Sequence, residues 1–211
     1  MKDFTFMKKS IFILMSVILS CNSVETVNYL DKCVEKIGYK YHKKLHYRIE
    51  YSTDERNNKI IIKSNELNPN NVDGRLILLE LYNNLKKKNI FYYEYKITNL
   101  ENENIISFDK FQMEHISKGL EVIEEYININ KSSEVNELDK YSTDLISMED
   151  LLKLKPIFNA VEGKPKLNDF LCLEEDFEEY FKYFYTLNGE VNVSFTLKKG
   201  SPSKIIGIKF D

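Results

Sequence analysis

His42 and His46 are separated by one helical turn, and Glu50 continues the series. On a helix that spacing would line two imidazoles and a carboxylate along one face, the arrangement of a zinc site. The residues between them argue for something else. Leu45, Tyr47, Ile49 and Tyr51 alternate with His46, Arg48, Glu50 and Ser52, and a period of two marks a half-buried strand. His42 and His46 then share no helical face, and no Glu follows His42 directly as a zinc-protease pattern requires. The expectation is a loop histidine, a solvent-facing strand histidine and no metal.

The third histidine, His115, lies one position off an apolar helical stripe beside Gly119 and Val122, which suits a partly buried structural role. Between Pro69 and Glu80, Asn71, Asp73, Gly74 and Glu80 fall at the third, fifth, sixth and twelfth places of a calcium loop. The first place is Pro69, which has no side-chain oxygen, and the ninth is Ile77. A helix start explains the same residues better, with Asn71 as cap and Asp73 near the positive end of the dipole. Glu174, Glu175, Asp176, Glu178 and Glu179 form the densest run of charge, just before Tyr180 to Tyr185. Paired carboxylates serve glycoside hydrolysis and aromatic faces stack on sugars, yet a solvated loop leading into a strand with buried aromatics accounts for both. The seven glycines are never close enough to form a phosphate-cradling loop or a serine nucleophile elbow. No catalytic set and no cofactor is expected.

Three cysteines remain, at 21, 33 and 172. Lys8 and Lys9 precede an apolar run from Ile11 to Leu19, followed by Ser20 and Cys21. About nine apolar residues span only ~14 Å as a helix, short of a ~30 Å hydrocarbon core, so the run reads as a signal segment rather than a membrane span. Ile18-Leu19-Ser20-Cys21 resembles the lipobox of bacterial lipoprotein signal peptides. The resemblance covers residues 1–24 and concerns processing. It implies diacylglycerol on the Cys21 thiol, cleavage before Cys21 and acylation of the new amino group. Met7 begins a complete signal by itself, so the start lies at Met1 or Met7. Outer-membrane placement is favoured in a cell that has one, because Asn22 is not the Asp of the inner-membrane retention signal. With helical pattern resuming near Val24, the tether reaches only ~15 Å even when extended. Cys33 and Cys172 are then left for the folded part, either as a disulfide that export permits or as thiols, with Cys33 on the apolar face of its helix.

The chain has 211 residues, 43% hydrophobic, enough for one full core or two small ones. Removing residues 1–20 takes away three lysines and one aspartate, which moves the net charge from -3 to about -5. No basic stripe is present, and nucleic-acid binding is not expected. Of the 30 cations only Arg48, Arg56 and Arg75 are arginine.

The elements that must position these residues follow from periodicity. Val27, Leu30, Cys33, Val34 and Ile37 predict a helix from about 24 to 37, stopped by Gly38. Strands follow at 45–51 and 59–63, joined by a turn at 54–58. A helix over 76–85 has apolar residues on two sides. Strands at 91–97 and 105–108 and a long amphipathic helix over 113–127 complete this region. Asn128 to Leu145 is polar and nearly aperiodic, the best boundary. Beyond it a helix over 148–158, bent by Pro156 and ended by Gly163, precedes strands at 181–187 and 191–197 around Asn188-Gly189, the strongest short hairpin signal. A last strand over 205–210 closes a meander. The fold class is α+β, a mixed or antiparallel sheet with packed helices and a C-terminal helix before a β-meander. The domain reading is a signal at 1–20, an α+β region at 21–130, a polar linker at 131–146 and a helix plus meander at 147–211, with the last able to join 21–130.

The functional expectation is a lipid-anchored envelope protein that binds a protein or envelope component without catalysing a reaction. Two rival readings are an inhibitor or immunity lipoprotein, whose acidic charge suits a basic toxin or lytic enzyme, and an envelope hydrolase using His42, His46 or the 174–179 carboxylates.

Overall fold

The computed structural model describes residues 24–54, 57–67, 72–99, 103–131, 141, 146–160, 165–175, 178–187, 191–198 and 204–210. The signal segment, Cys21, Pro69, Asn71, Asp176 and the Asn188-Gly189 turn lie outside them, as does most of the 131–146 linker.

Helix α1 covers residues 24–41. It is followed by strands β1 (His46–Glu50) and β2 (Lys59–Lys63), helix α2 (Val72–Lys86), strands β3 (Glu94–Thr98) and β4 (Asn104–Asp109), and helices α3 (Lys110–Lys131) and α4 (Met148–Asn159). Strands β5 (Lys166–Glu175), β6 (Glu178–Leu187), β7 (Val191–Lys198) and β8 (Ile205–Phe210) end the chain. The first sheet runs β1-β2-β3-β4 and the second β5-β6-β7-β8. In the first, β2 and β3 are parallel while both outer pairs are antiparallel. Parallel neighbours need a crossover, and α2 supplies it. The second sheet is an antiparallel meander. The α+β class is thus what the molecule has, with two four-stranded sheets among the described residues.

One cluster of buried side chains runs through both sheets and all four helices. Helix α2 buries Ile77, Leu78, Leu81 and Leu85 together with Gly74 and Leu79, matching the two-sided apolar pattern of its sequence. Helix α4 starts on Ser147, whose hydroxyl accepts from the Asp150 amide while Asp150 reaches back to the Ser147 amide. Pro156 is held within that helix, which ends at Ala160 rather than at Gly163.

Several boundaries move for physical reasons. Helix α1 does not stop at Gly38 but runs to residue 41, because the left-handed slot after it is filled by His42, at φ 52°. The Lys43 amide donates to the Gly38 carbonyl at 2.9 Å and the His42 amide to the Tyr39 carbonyl at 3.3 Å, a Schellman closure. Gly38 serves the close return of the chain, since a Cβ there would sit 2.8 Å from the Lys43 carbonyl oxygen. Asn89, at φ 55°, closes α2 in the same way, with the Ile90 amide on the Leu85 carbonyl at 3.0 Å. Phe91 and Tyr93 precede β3 rather than belonging to it. Helix α3 continues through 131, and Ile129, Asn130 and Tyr141, placed by sequence in a polar boundary, are buried.

Strand β5 is absent from the sequence reading. Its alternation breaks at a bulge between Leu167 and Asp169, and Phe170 to Leu173 is apolar on both faces. Four of the carboxylates read as a loop lie on strand ends instead: Glu174 pairs with Glu179 and Glu175 with Glu178. Strands β6 and β7 pair out to Leu187 and Val191, as the hairpin reading requires.

Candidate functional site

The C-terminal turn of α1, the exposed side of α2 and the first residues of β5 enclose an open cleft of about 930 Å³. The packing of α2 against β5 creates it. Arg75 of α2 donates from Nε and Nη2 to the two carboxylate oxygens of Asp169, both at 2.6 Å, and both side chains are mostly buried. Such a bidentate fork fixes angle as well as distance. Asp169 also accepts from the Phe170 amide at 2.8 Å, so Arg75 holds the very bulge that opens β5 beside the cleft.

The floor is apolar, formed by Leu76, Leu79, Leu120 and Leu167. Asn83, Asn84 and Asn168 supply amides along the sides, and Lys36, Lys40, Lys87 and Lys166 stand around the rim. Two carboxylates enter it, and each faces a cation. Glu80 pairs with Lys40 at 2.5 Å, and Asp73 lies 3.9 Å from Lys43. Tyr41 also bonds to Glu80; burial first, and then the Glu80 carboxylate, push its phenol well above the ordinary range. It is a neutral donor at physiological pH. With the acids matched to cations, the cleft suits holding a polar ligand over an apolar floor better than moving a proton.

The structure separates the metal candidates. His42 caps α1 and borders the cleft, whereas His46 begins β1; both are exposed. Among the described residues, no group of three or more His, Cys, Asp or Glu side chains comes together to hold a metal. The described residues of the calcium-loop pattern all lie on α2 and serve other roles. Asp73 lies in the first turn of α2, and Gly74 faces inward, where a Cβ would come 2.7 Å from the Ile106 Cδ1. Glu80 is occupied by Lys40.

His115 donates from Nδ1–H to the Phe111 carbonyl, 2.9 Å away, and its ring stacks on Phe181 at 6.3 Å. It is a partly buried structural residue, as its position off the stripe predicts. Tyr183 and Tyr185 are buried, so these aromatics of β6 build core rather than a sugar platform.

No disulfide joins Cys33 and Cys172. Cys33 is buried on the core-facing side of α1, where burial, then the nearby Glu80, raise its thiol to about 11. A thiol so protonated is a poor nucleophile. Cys172 lies opposite Phe181 in the second sheet.

Sequence reasoning reached His42, Asp73 and Glu80 through metal patterns, but missed that one cleft gathers them with lysines. It also missed Arg75 and Asp169. The available signal was Arg75 itself, a rare arginine set in an apolar helix.

No helix among the described residues is long and apolar enough to cross a membrane. No protein-family model matches the chain, and neither a curated protein nor a solved structure matches it.

Proposed function

We propose that this chain is an exported bacterial lipoprotein of the cell envelope, anchored through Cys21, whose folded part is a non-catalytic binding module. The observation that carries the anchor is the order Lys8-Lys9, Ile11 to Leu19, Ser20-Cys21, and two or three acyl chains make such an anchor durable. The binding role is supported by the α1–α2–β5 cleft, whose carboxylates are matched to Lys40 and Lys43 and whose floor is apolar. The bound molecule is a protein or an envelope component.

Two measurements test the reading. Labelled palmitate should enter the full chain and partition it into detergent, and Cys21→Ser should abolish both; label retained by the Ser form overturns the anchor. Capture from the protein's own membranes should then yield a ligand lost on combining Lys36→Glu with Lys87→Glu, which reverses rim charge at exposed positions. A ligand kept by that variant places binding elsewhere.

A further inference from the structure

Four exposed aromatic residues gather at one end of the first sheet: Tyr51, Phe91, Tyr93 and Phe111. The strand register puts them there. Glu50 lies opposite Lys59, Lys59 beside Glu94, and Glu94 opposite Asp109. The chain therefore leaves β1, enters β3 and leaves β4 at the same edge. The Tyr93 amide donates to the Asn58 carbonyl at 2.8 Å and the Lys110 amide to the Tyr93 carbonyl at 2.8 Å. The Lys110 ammonium stands 4.8 Å from the centre of the Phe91 ring.

The first turns of α1 reach the same pole. Glu25, Thr26 and Tyr29 share a hollow with Lys88 and Ile90, and Ile90 is joined directly to Phe91. The Tyr29 hydroxyl donates to the Asn84 carbonyl at 3.0 Å, and the Lys88 ammonium stands 5.7 Å from the Tyr29 ring centre. Val24 and Val27 are exposed there as well, at 58% and 42%. Tyr39, 76% exposed, marks the opposite end of α1, about 22 Å along the helix from Val24.

What lies against this pole follows from the chain that leads to it. Only Asn22 and Ser23 stand between Cys21 and Val24, so the acylated residue can lie no more than about 11 Å from the start of α1. Aromatic rings with a polar edge favour the headgroup layer, and lysines beside them attract anionic headgroups. We propose that this pole is a membrane-contacting face. Tyr51, Phe91, Tyr93 and Phe111 sit at headgroup level of the bilayer that holds the lipid on Cys21, and Lys88 and Lys110 face anionic headgroups. The inference rests on the lipid anchor of the preceding section. It adds an orientation: the end of the α1–α2–β5 cleft bordered by Lys40, Tyr41 and His42 belongs to the end of α1 farther from the lipid.

The chain contains no tryptophan, which allows a direct test. Phe91→Trp and Tyr39→Trp each introduce a single reporter at an exposed position of the full lipidated chain. Each is reconstituted into vesicles of phosphatidylethanolamine and phosphatidylglycerol with brominated acyl chains. The expected result is several-fold stronger quenching, with a blue shift, at position 91 than at position 39. A chain bound to the vesicles but equally quenched at the two positions overturns the face and leaves the anchor standing. That result is also what a protein partner or a second copy covering the pole would produce. A chain that does not associate with vesicles at all overturns the anchor, and this orientation with it.

Discussion

Tyr183 of β6 lays its ring across Gly119 of α3, in the space a Cβ on that glycine would need, and its hydroxyl donates to the Ile116 carbonyl at 3.1 Å. The missing side chain lets the helix settle on the second sheet. Gly119 thus has a steric reason to interrupt an otherwise good helix, where glycine costs about 1 kcal/mol relative to alanine.

Gly119→Ala should therefore destabilise despite its better helix propensity. Overpacking a close contact costs about 1–3 kcal/mol, and Tyr183 has no open space to retreat into because it is fully buried. Urea unfolding followed by circular dichroism should show a lower midpoint with an unchanged slope. The double variant with Tyr183→Leu should recover part of the loss. Equal losses in the single and double variants would refute the steric account.

The Arg75–Asp169 fork joins the two halves of the chain, and its groups are about 15% exposed. Removing one partner leaves the other poorly solvated, so Arg75→Met and Asp169→Asn should each cost about 2–4 kcal/mol. A double-mutant cycle should return a coupling of more than about 1 kcal/mol. Near-zero coupling would mean that α2 and β5 are held by apolar packing alone.

His42 occupies a left-handed backbone position that costs a residue with a Cβ about 1–2 kcal/mol. His42→Gly should raise stability by up to about 1 kcal/mol, after allowance for the greater freedom of glycine in the unfolded chain. Thermal melting should show a rise of a few degrees. A loss of stability would mean that the imidazole contributes more than the strain costs.

The buried phenols make the protein sensitive to alkali. Burial raises Tyr82 to about 12, and it pushes Tyr95, Tyr183 and Tyr185 higher still, against an ordinary value of 10.0. A folded-state value above the unfolded one gives stability that is complete below pH 10 and is lost as pH rises past it, because only the unfolded chain ionises there. Unfolding midpoints in urea should thus stay level as these phenols approach pH 10 and fall steeply above it. Tyrosinate absorbance at those residues should appear together with loss of structure. Phenols that ionise fully while the fold persists would contradict their burial.

The elements were legible where the period is local and unbroken. Phe181, Tyr183, Tyr185 and Leu187 alternate cleanly, and all four are buried in β6. The two-sided stripe of α2 announced contact on both sides. The end of α1 misled because His42 takes a backbone form usually associated with glycine, which composition does not reveal. Strand β5 was hidden because its bulge shifts the alternation and its far end carries consecutive carboxylates.

The sequence by itself determined the basic, apolar, small order before Cys21, the α+β class and the faces of the long helices, since each depends on neighbours a few positions apart. Tertiary structure alone decided that Arg75 meets Asp169 across 94 residues of chain, that Lys40 and Lys43 match the acids of the cleft, and that Tyr183 finds the gap at Gly119. It also decided that the aromatics around β1, β3 and β4 share a pole with the start of α1. Periodicity tells each element which face to bury, but not which partner it meets; that is set by how the buried faces fit together in three dimensions.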